Sequence, residues 1–307
     1  MLDRLRRLGR PSAAPPPAEP EPEAPPESEA PAGPEAPPDG PPGWLPPHLL
    51  AYEPELVPPL ELRRTEGIEV IEEWFRWAEE WSVLLRVYGG LGRDTAVLEI
   101  GCGLGRIAFP LRYVLSPEGR YEGFEIARQK VDFLRHEFTP RHPRFRFTWA
   151  DVHNTYYNPG GAQHGSEYAF PYPDGSFDLA YAASVFTHLL PEVAARYLDE
   201  TARVLRPGGR AVLSFFLLDL YDPAVERPGP FARPAFAFDH PWGDVGDAFR
   251  VGVPENPEEM TAFRLEWIEA RAAEAGLRLA RDPIPGLWSG ASPTWVSAQD
   301  LVVLERP

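Results

Sequence analysis

The 307-residue sequence has a single cysteine, Cys102, a single lysine, Lys130, and no long apolar run. One thiol permits neither an intrachain disulfide nor a thiolate zinc cluster, which excludes a disulfide-built secreted fold. No apolar stretch approaches the roughly 18 residues needed to span a bilayer. The basic opening MLDRLRRLGRPS lacks the apolar core of a secretory signal. It reads as a frayed terminus, with a short amphipathic contact element as the alternative, and the expected location is cytoplasmic. Positive charge is scarce too: 30 Lys and Arg stand against 46 Asp and Glu, a formal net charge of −16. So acidic a chain is a poor counterion for a phosphate backbone, which counts against nucleic acid as a partner. The 29 arginines beside one lysine, with an excess of Ala, Pro and Gly, read as a coding bias.

Proline is plentiful but unevenly spread: residues 1–47 hold 16 of the 39. From Pro11 to Pro42 there is no Lys or Arg and hardly a side chain worth burying. Such a stretch cannot offset its ordering entropy, so a disordered, Pro- and Glu-rich tail is expected. Tether, solubility segment and partner ligand all fit it, a plain solvated linker most simply. Residues 48–307 are enough for one α/β domain. Helical spacing over 67–88 (Ile71, Trp74, Ala78, Trp81, Leu85) predicts a helix face packed on that domain, or less simply a tryptophan-lined ligand site. Beyond it, apolar strands at 96–100, 121–124, 145–149, 177–183, 210–216, 277–281 and 299–305 are interleaved with helices at 106–115, 126–138, 191–205 and 261–275. This predicts an α/β fold, a doubly wound, mostly parallel seven-stranded sheet with helices on both faces. Two intervals, about 152–176 and 217–260, are too long for ordinary connections and rich in aromatic residues. They are expected to be ordered segments covering a substrate pocket.

In an open α/β sheet, ligands bind at the carboxyl ends of the strands near the switch in strand order. The turn Gly101-Cys102-Gly103-Leu104-Gly105 lies there, between the first strand and a helix. Glycines let backbone approach a ligand closely, and a helix start offers free N–H groups. The spacing is not that of a dinucleotide fingerprint, which wants glycine where Arg106 stands, nor of a Walker loop, which ends in Gly-Lys-Ser/Thr. Glu99, two residues before the first glycine, would repel a pyrophosphate but suits a ligand carrying positive charge.

The ordered set VLEIGCGLGR, GFE, ADVHN, FDLAYAASVFTHL and ARVLRPGGRAVLSFF resembles the class I, Rossmann-like S-adenosylmethionine-dependent methyltransferases. The resemblance implies S-adenosyl-L-methionine as cofactor. Glu99 and the loop residues Gly101, Cys102, Gly103 and Gly105 would hold the methionine part, whose ammonium wants an acidic partner. Glu125 would take the ribose hydroxyls, as an acceptor-only group suits a diol. Its alternative reading is a helix N-terminal charge ahead of Ile126. Asp151 would accept from the adenine amino group, with Val152 beside it, or else cap a loop; Ile126 would join the cofactor-binding set. Ser184 would touch the methionine end, or cap the next turn. Cys102 has no base to make it a nucleophile.

Methyl transfer needs alignment and exclusion of water, plus a base when the acceptor is a hydroxyl or a protonated amine. His188 is the candidate base, its alternative being a histidine that bonds backbone at a helix start. His153, His164, His240, Tyr156 and Tyr157 are further candidates. No metal-ligand spacing is present. The stretch Ala182-Ala183-Ser184-Val185 lacks the Asn/Asp-Pro-Pro-Tyr/Phe pattern of enzymes that methylate base amines. With the acidic charge this favours a small-molecule acceptor, probed by covering aromatics such as Tyr156, Tyr157, Tyr221, Phe236 and Trp242. The competing classes are a protein or RNA methyltransferase, marked by a basic groove, and a non-catalytic scaffold recruiting partners through its proline-rich tail.

Overall fold

The computed structural model describes residues 53–222, 237–292 and 294–307. The proline-rich tail and Phe236 lie outside the described residues. Seven strands form one sheet in the order β3-β2-β1-β4-β5-β10-β9. β1 (Ala96–Ile100), β2 (Arg120–Glu125), β3 (Phe145–Trp149), β4 (Phe177–Ala182) and β5 (Leu205–Phe215) run parallel. β10 (Asp300–Glu305) pairs antiparallel with β5, and β9 (Arg278–Leu279) antiparallel with β10. The chain steps outward from β1 to β3 and then returns to the other side of β1 as β4. The switch in strand order therefore falls between β1 and β4, where a crevice opens.

Period-two alternation sends the two halves of each strand to different layers. Leu98, Ile100, Ala180, Ala182 and Leu213 face a core closed by α5 (Pro191–Val204) and α6 (Leu265–Glu274). Val97, Tyr121, Leu179, Tyr181 and Val212 face the opposite core, closed by α2 (Ile71–Val87), α3 (Ala108–Val114) and α4 (Arg128–Arg141). Each large apolar side chain so enclosed contributes about 1.5–3 kcal/mol. Trp74 and Trp81 of α2 are buried in that second core, as the packed-face reading of 67–88 requires. A short helix α1 (Leu60–Arg64) precedes α2.

The segment 261–275, predicted as one helix, is divided. Thr261–Phe263 is strand β8, paired with β7 (Phe249–Val251), which pairs in turn with β6 (His240–Pro241). Helix α6 starts only at Leu265. This small antiparallel sheet belongs to the long interval after β5, and a bridge between Leu217 and Phe263 ties it to the main sheet. Among the described residues no helix is long and apolar enough to cross a membrane.

Candidate functional site

A cavity of about 220 Å³ lies at the carboxyl ends of β1, β2 and β4. The β1–α3 turn supplies Gly101, Cys102, Gly103 and Arg106; β2 and α4 supply Glu125, Ile126 and Lys130; Ala183, Ser184 and His188 follow β4. Both long intervals reach the wall, the first through Val152, Asn154 and Tyr157 and the second through Glu258.

The glycine turn is dictated sterically. Gly101 has φ +70°, and a Cβ there would stand 2.6 Å from Val185 Cγ2. At Gly103 the Glu66 carboxylate fills the space a Cβ would take. Ser184, with φ 60°, is the one positive-φ non-glycine among the described residues. Its N–H donates to Ser214 Oγ at 2.7 Å, and Gln299 Nε2 donates to its hydroxyl at 2.8 Å. Backbone strain of this kind, held by surrounding bonds, marks functional positions.

Three carboxylates surround the turn in different states. Glu125 is 7% exposed. Its Oε2 accepts from Gly103 N–H at 3.0 Å and its Oε1 from Ala127 N–H at 2.9 Å. It sits just ahead of α4 and faces the cavity at once. Glu99 is 2% exposed, and its Oε2 accepts from the phenols of Tyr121 and Tyr181, the latter at 2.8 Å. Burial pushes its carboxyl up to about 8 against the pull of both phenols. Glu66, which carries no sequence motif, accepts on Oε1 from Leu104 N–H at 2.9 Å and from Lys130 Nζ at 3.2 Å. Burial works to raise its pKa, but the charges of Lys130 and Arg106 outweigh it and hold Glu66 below the ordinary carboxylate value.

His188 ends the short turn Phe186–His188, pinned by Thr261 Oγ1 donating to Phe186 O at 3.0 Å. Its Nδ1 lies 3.1 Å from the Glu258 carbonyl oxygen, which can only accept. The proton therefore sits on Nδ1, and the Nε2 lone pair faces the cavity. The Tyr157 hydroxyl, 3.3 Å away, donates to that lone pair. Burial drives the imidazole pKa down to about 4, so the ring is neutral at ordinary pH. The Glu258 side chain meanwhile accepts from Thr155 N–H and Thr155 Oγ1, each at 2.6 Å, joining the two long intervals above His188. Asn154 Oδ1 accepts from Tyr157 N–H at 2.8 Å and so orients that ring.

Of the residues singled out from sequence, Glu99, Gly101, Cys102, Gly103, Glu125, Ile126, Val152, His153, Ser184, His188 and Tyr157 line the cavity. Burial pushes the Cys102 thiol up, away from nucleophile chemistry. Gly105 lies behind the wall, packed on Leu134. Asp151 does not reach the cavity; its Oδ1 accepts from Ala162 N–H at 3.2 Å and closes its own loop. Tyr156 is 40% exposed beside Tyr157. Tyr221 donates to Asp239 and stacks on Trp288, and Trp242 packs against the α5–α6 core. Neither Tyr221 nor Trp242 lines the cavity. His164 bonds Ser166, and His240 is exposed on β6. Sequence reasoning missed Glu66, Lys130, Arg106, Asn154 and Glu258. Only Lys130 carried a signal, as the sole lysine.

Residues 98–213 match the family model described as "Methyltransferase domain". An O-methyltransferase of Penicillium expansum is 29% identical over 153 residues, 49% of this chain and 48% of that protein. The 27-O-demethylrifamycin SV methyltransferase of Amycolatopsis mediterranei is 31% identical over 194 residues, 59% of this chain and 63% of that protein. A tRNA N(3)-cytidine methyltransferase of Gallus gallus is 26% identical over 127 residues, 41% of this chain and 31% of that protein. Each match spans less than two thirds of the relative's own length. With the glycine turn at the end of β1 and the strand order around it, residues 98–213 are similar to a methyltransferase domain, in keeping with the class I S-adenosylmethionine-dependent methyltransferases that the sequence resembles.

Proposed function

We propose that this chain methylates a hydroxyl group of a small-molecule acceptor, with His188 taking the proton. The observation that carries this reading is the fixed tautomer of His188, which aims its Nε2 lone pair into the cavity, where the Tyr157 hydroxyl holds the place that an acceptor hydroxyl would take. The wall suits the cofactor. Glu125 keeps lone pairs beyond its two backbone bonds for a diol, Ile126 and Val152 offer apolar flanks, and buried Arg106 Nε has no hydrogen-bond partner. S-adenosylmethionine, when bound, supplies an electrophilic methyl group on a sulfonium. The chain's own task is then alignment and exclusion of water, which can supply up to about 7–11 kcal/mol.

His188 is neutral above about pH 4, so it is free to accept. Its weak basicity suits a proton that leaves as the new O–C bond forms, a step worth about 10²–10⁴-fold. The relatives that methylate oxygen, named above, support this reading. A tRNA methyltransferase among the relatives raises RNA as a second reading; the carboxylates Glu66, Glu125 and Glu258 in the wall weigh against it, since they repel phosphate. The test uses S-adenosylmethionine with a deuterated methyl group, offered with panels of phenols, alcohols, RNA and protein. Labelled hydroxyls, lost in His188→Gln, are expected. Label appearing only in RNA or protein would sink the proposal.

A further inference from the structure

Glu66 enters the site from far upstream, on the turn between α1 and α2. That turn is self-buttressed: Glu66 N–H and Ile68 N–H both donate to Arg63 O, at 3.0 and 3.1 Å. The Arg63 side chain in turn donates to Pro58 O at 3.1 Å and to Glu69 O at 2.9 Å. The carboxylate it presents uses only one oxygen. Oε1 holds Leu104 N–H and Lys130 Nζ, while Oε2 accepts no hydrogen bond from the described residues, and Glu66 lines the cavity. Lys130, 5% exposed, fixes that carboxylate from α4 and approaches the Tyr157 ring at 5.9 Å. In a chain with 29 arginines, the one lysine stands where a compact ammonium rather than a planar fork fits between Glu66 and Tyr157.

Across the same wall, Arg106 leaves its buried Nε unpartnered and lies over Trp77, 5.6 Å from the ring centroid. A carboxylate with a spare oxygen and a guanidinium with a spare donor thus border one cavity. Together they match a zwitterion, the α-amino-acid end of a ligand. Glu99 is poorly placed for that duty, because both neighbouring phenols hold its Oε2 beneath the turn.

Resting on the reading of this cavity as the cofactor site, we propose that Glu66 and Arg106 clamp the cofactor's α-amino-acid end. Glu66 faces its ammonium and Arg106 its carboxylate, Lys130 positions Glu66, and Glu99 supports the turn from below. The arm that carries Glu66 is therefore part of the binding site and not merely a cover on the fold.

Calorimetric titration separates the roles with three ligands: S-adenosylmethionine, S-adenosylhomocysteine and 5′-methylthioadenosine, which lacks the amino-acid end. Glu66→Gln and Arg106→Gln are each expected to weaken the first two by about ten- to hundredfold, as for a lost bond to a charged group, and to leave methylthioadenosine within about twofold. Unchanged methylthioadenosine binding also shows that the variant is folded. Lys130→Met should reproduce the Glu66 pattern in weaker form, and Glu99→Gln should weaken all three ligands by less than about threefold. Equal weakening of methylthioadenosine by Glu66→Gln would make Glu66 a simple latch and overturn the clamp. Selective loss in Glu99→Gln instead of Glu66→Gln would overturn it as well. If the wild-type protein bound none of the three, the cofactor-site reading would fall and the clamp with it; binding with unaltered selectivity in the variants would refute the clamp alone.

Discussion

Replacing Glu99 by Gln changes how stability depends on pH, and the size of the change follows from where the side chain sits. The carboxyl is buried between Tyr121 and Tyr181, and burial lifts it from an ordinary 4.5 to about 8. A carboxyl so raised holds its proton in the folded state after the unfolded chain has released it. Below pH 4.5 both states are protonated and nothing is lost. Between 4.5 and about 8 the folded state forfeits stability at up to about 1.4 kcal/mol per pH unit, and above 8 the loss is constant. The full window corresponds to about 5 kcal/mol, an upper bound because a buried site relaxes around a charge. Gln keeps an oxygen to accept both phenols and has no proton to lose.

The assay is urea unfolding of both proteins at pH 5, 6, 7, 8 and 9. His188, pushed down to about 4, lowers stability as pH falls below 6.5, and Asp300, pushed up to about 6, lowers it as pH rises from 3.8. Both groups are present in wild type and variant and cancel in the difference. Glu99→Gln is expected to gain steadily on wild type from pH 5 to 8, by at least about 2 kcal/mol, and then to level off. A difference that stays flat within about 0.5 kcal/mol would mean that Glu99 is ionised in the folded protein, and the reasoning from burial would be refuted.

Other substitutions test the site directly. Glu125→Ala removes the acceptor of Gly103 N–H and Ala127 N–H; calorimetry should show adenosyl ligands bound about ten- to hundredfold more weakly and thermal unfolding a loss of about 1–3 kcal/mol. Asp151→Ala, whose Oδ1 serves only Ala162 N–H, should leave adenosyl affinity within about threefold, and a loss as large as that of Glu125→Ala would show that the loop rearranges to bring Asp151 to the ligand. Gly101→Ala places a Cβ 2.6 Å from Val185 at φ +70°; about 1–2 kcal/mol of backbone strain plus the clash should lower the melting temperature and abolish cofactor binding together. Since His188 titrates near 4, kcat/KM should show no inflection near pH 6.5 and should fall only as pH drops towards about 4; an inflection at 6.5 that disappears in His188→Gln would place the imidazole in water.

The fold was legible where the signal is local. AVLEI read as a buried strand and is one, because five apolar or acidic residues at the centre of a sheet need no distant partner to be recognised. The glycine turn was legible for the same reason: φ values of +70° and +52° at Gly101 and Gly103 are requirements of single residues. The division of 261–275 was not, since Thr261–Phe263 becomes a strand by pairing with Phe249–Val251, a contact that helical spacing in its own window conceals.

Sequence alone determined the strand–helix alternation, the glycine turn and the carboxylates near it, because periodicity and backbone sterics act over a few neighbouring residues. Tertiary structure decided which of those carboxylates is charged and what each one holds. Glu66 meets Leu104 across 38 positions and Lys130 across 64, and Glu258 fixes the tautomer of His188 across 70. Asp151, adjacent to a strand end, is turned into its own loop instead. Desolvation and hydrogen-bond partners depend on which distant segments share a wall, and that is set only when the two cores close over the sheet.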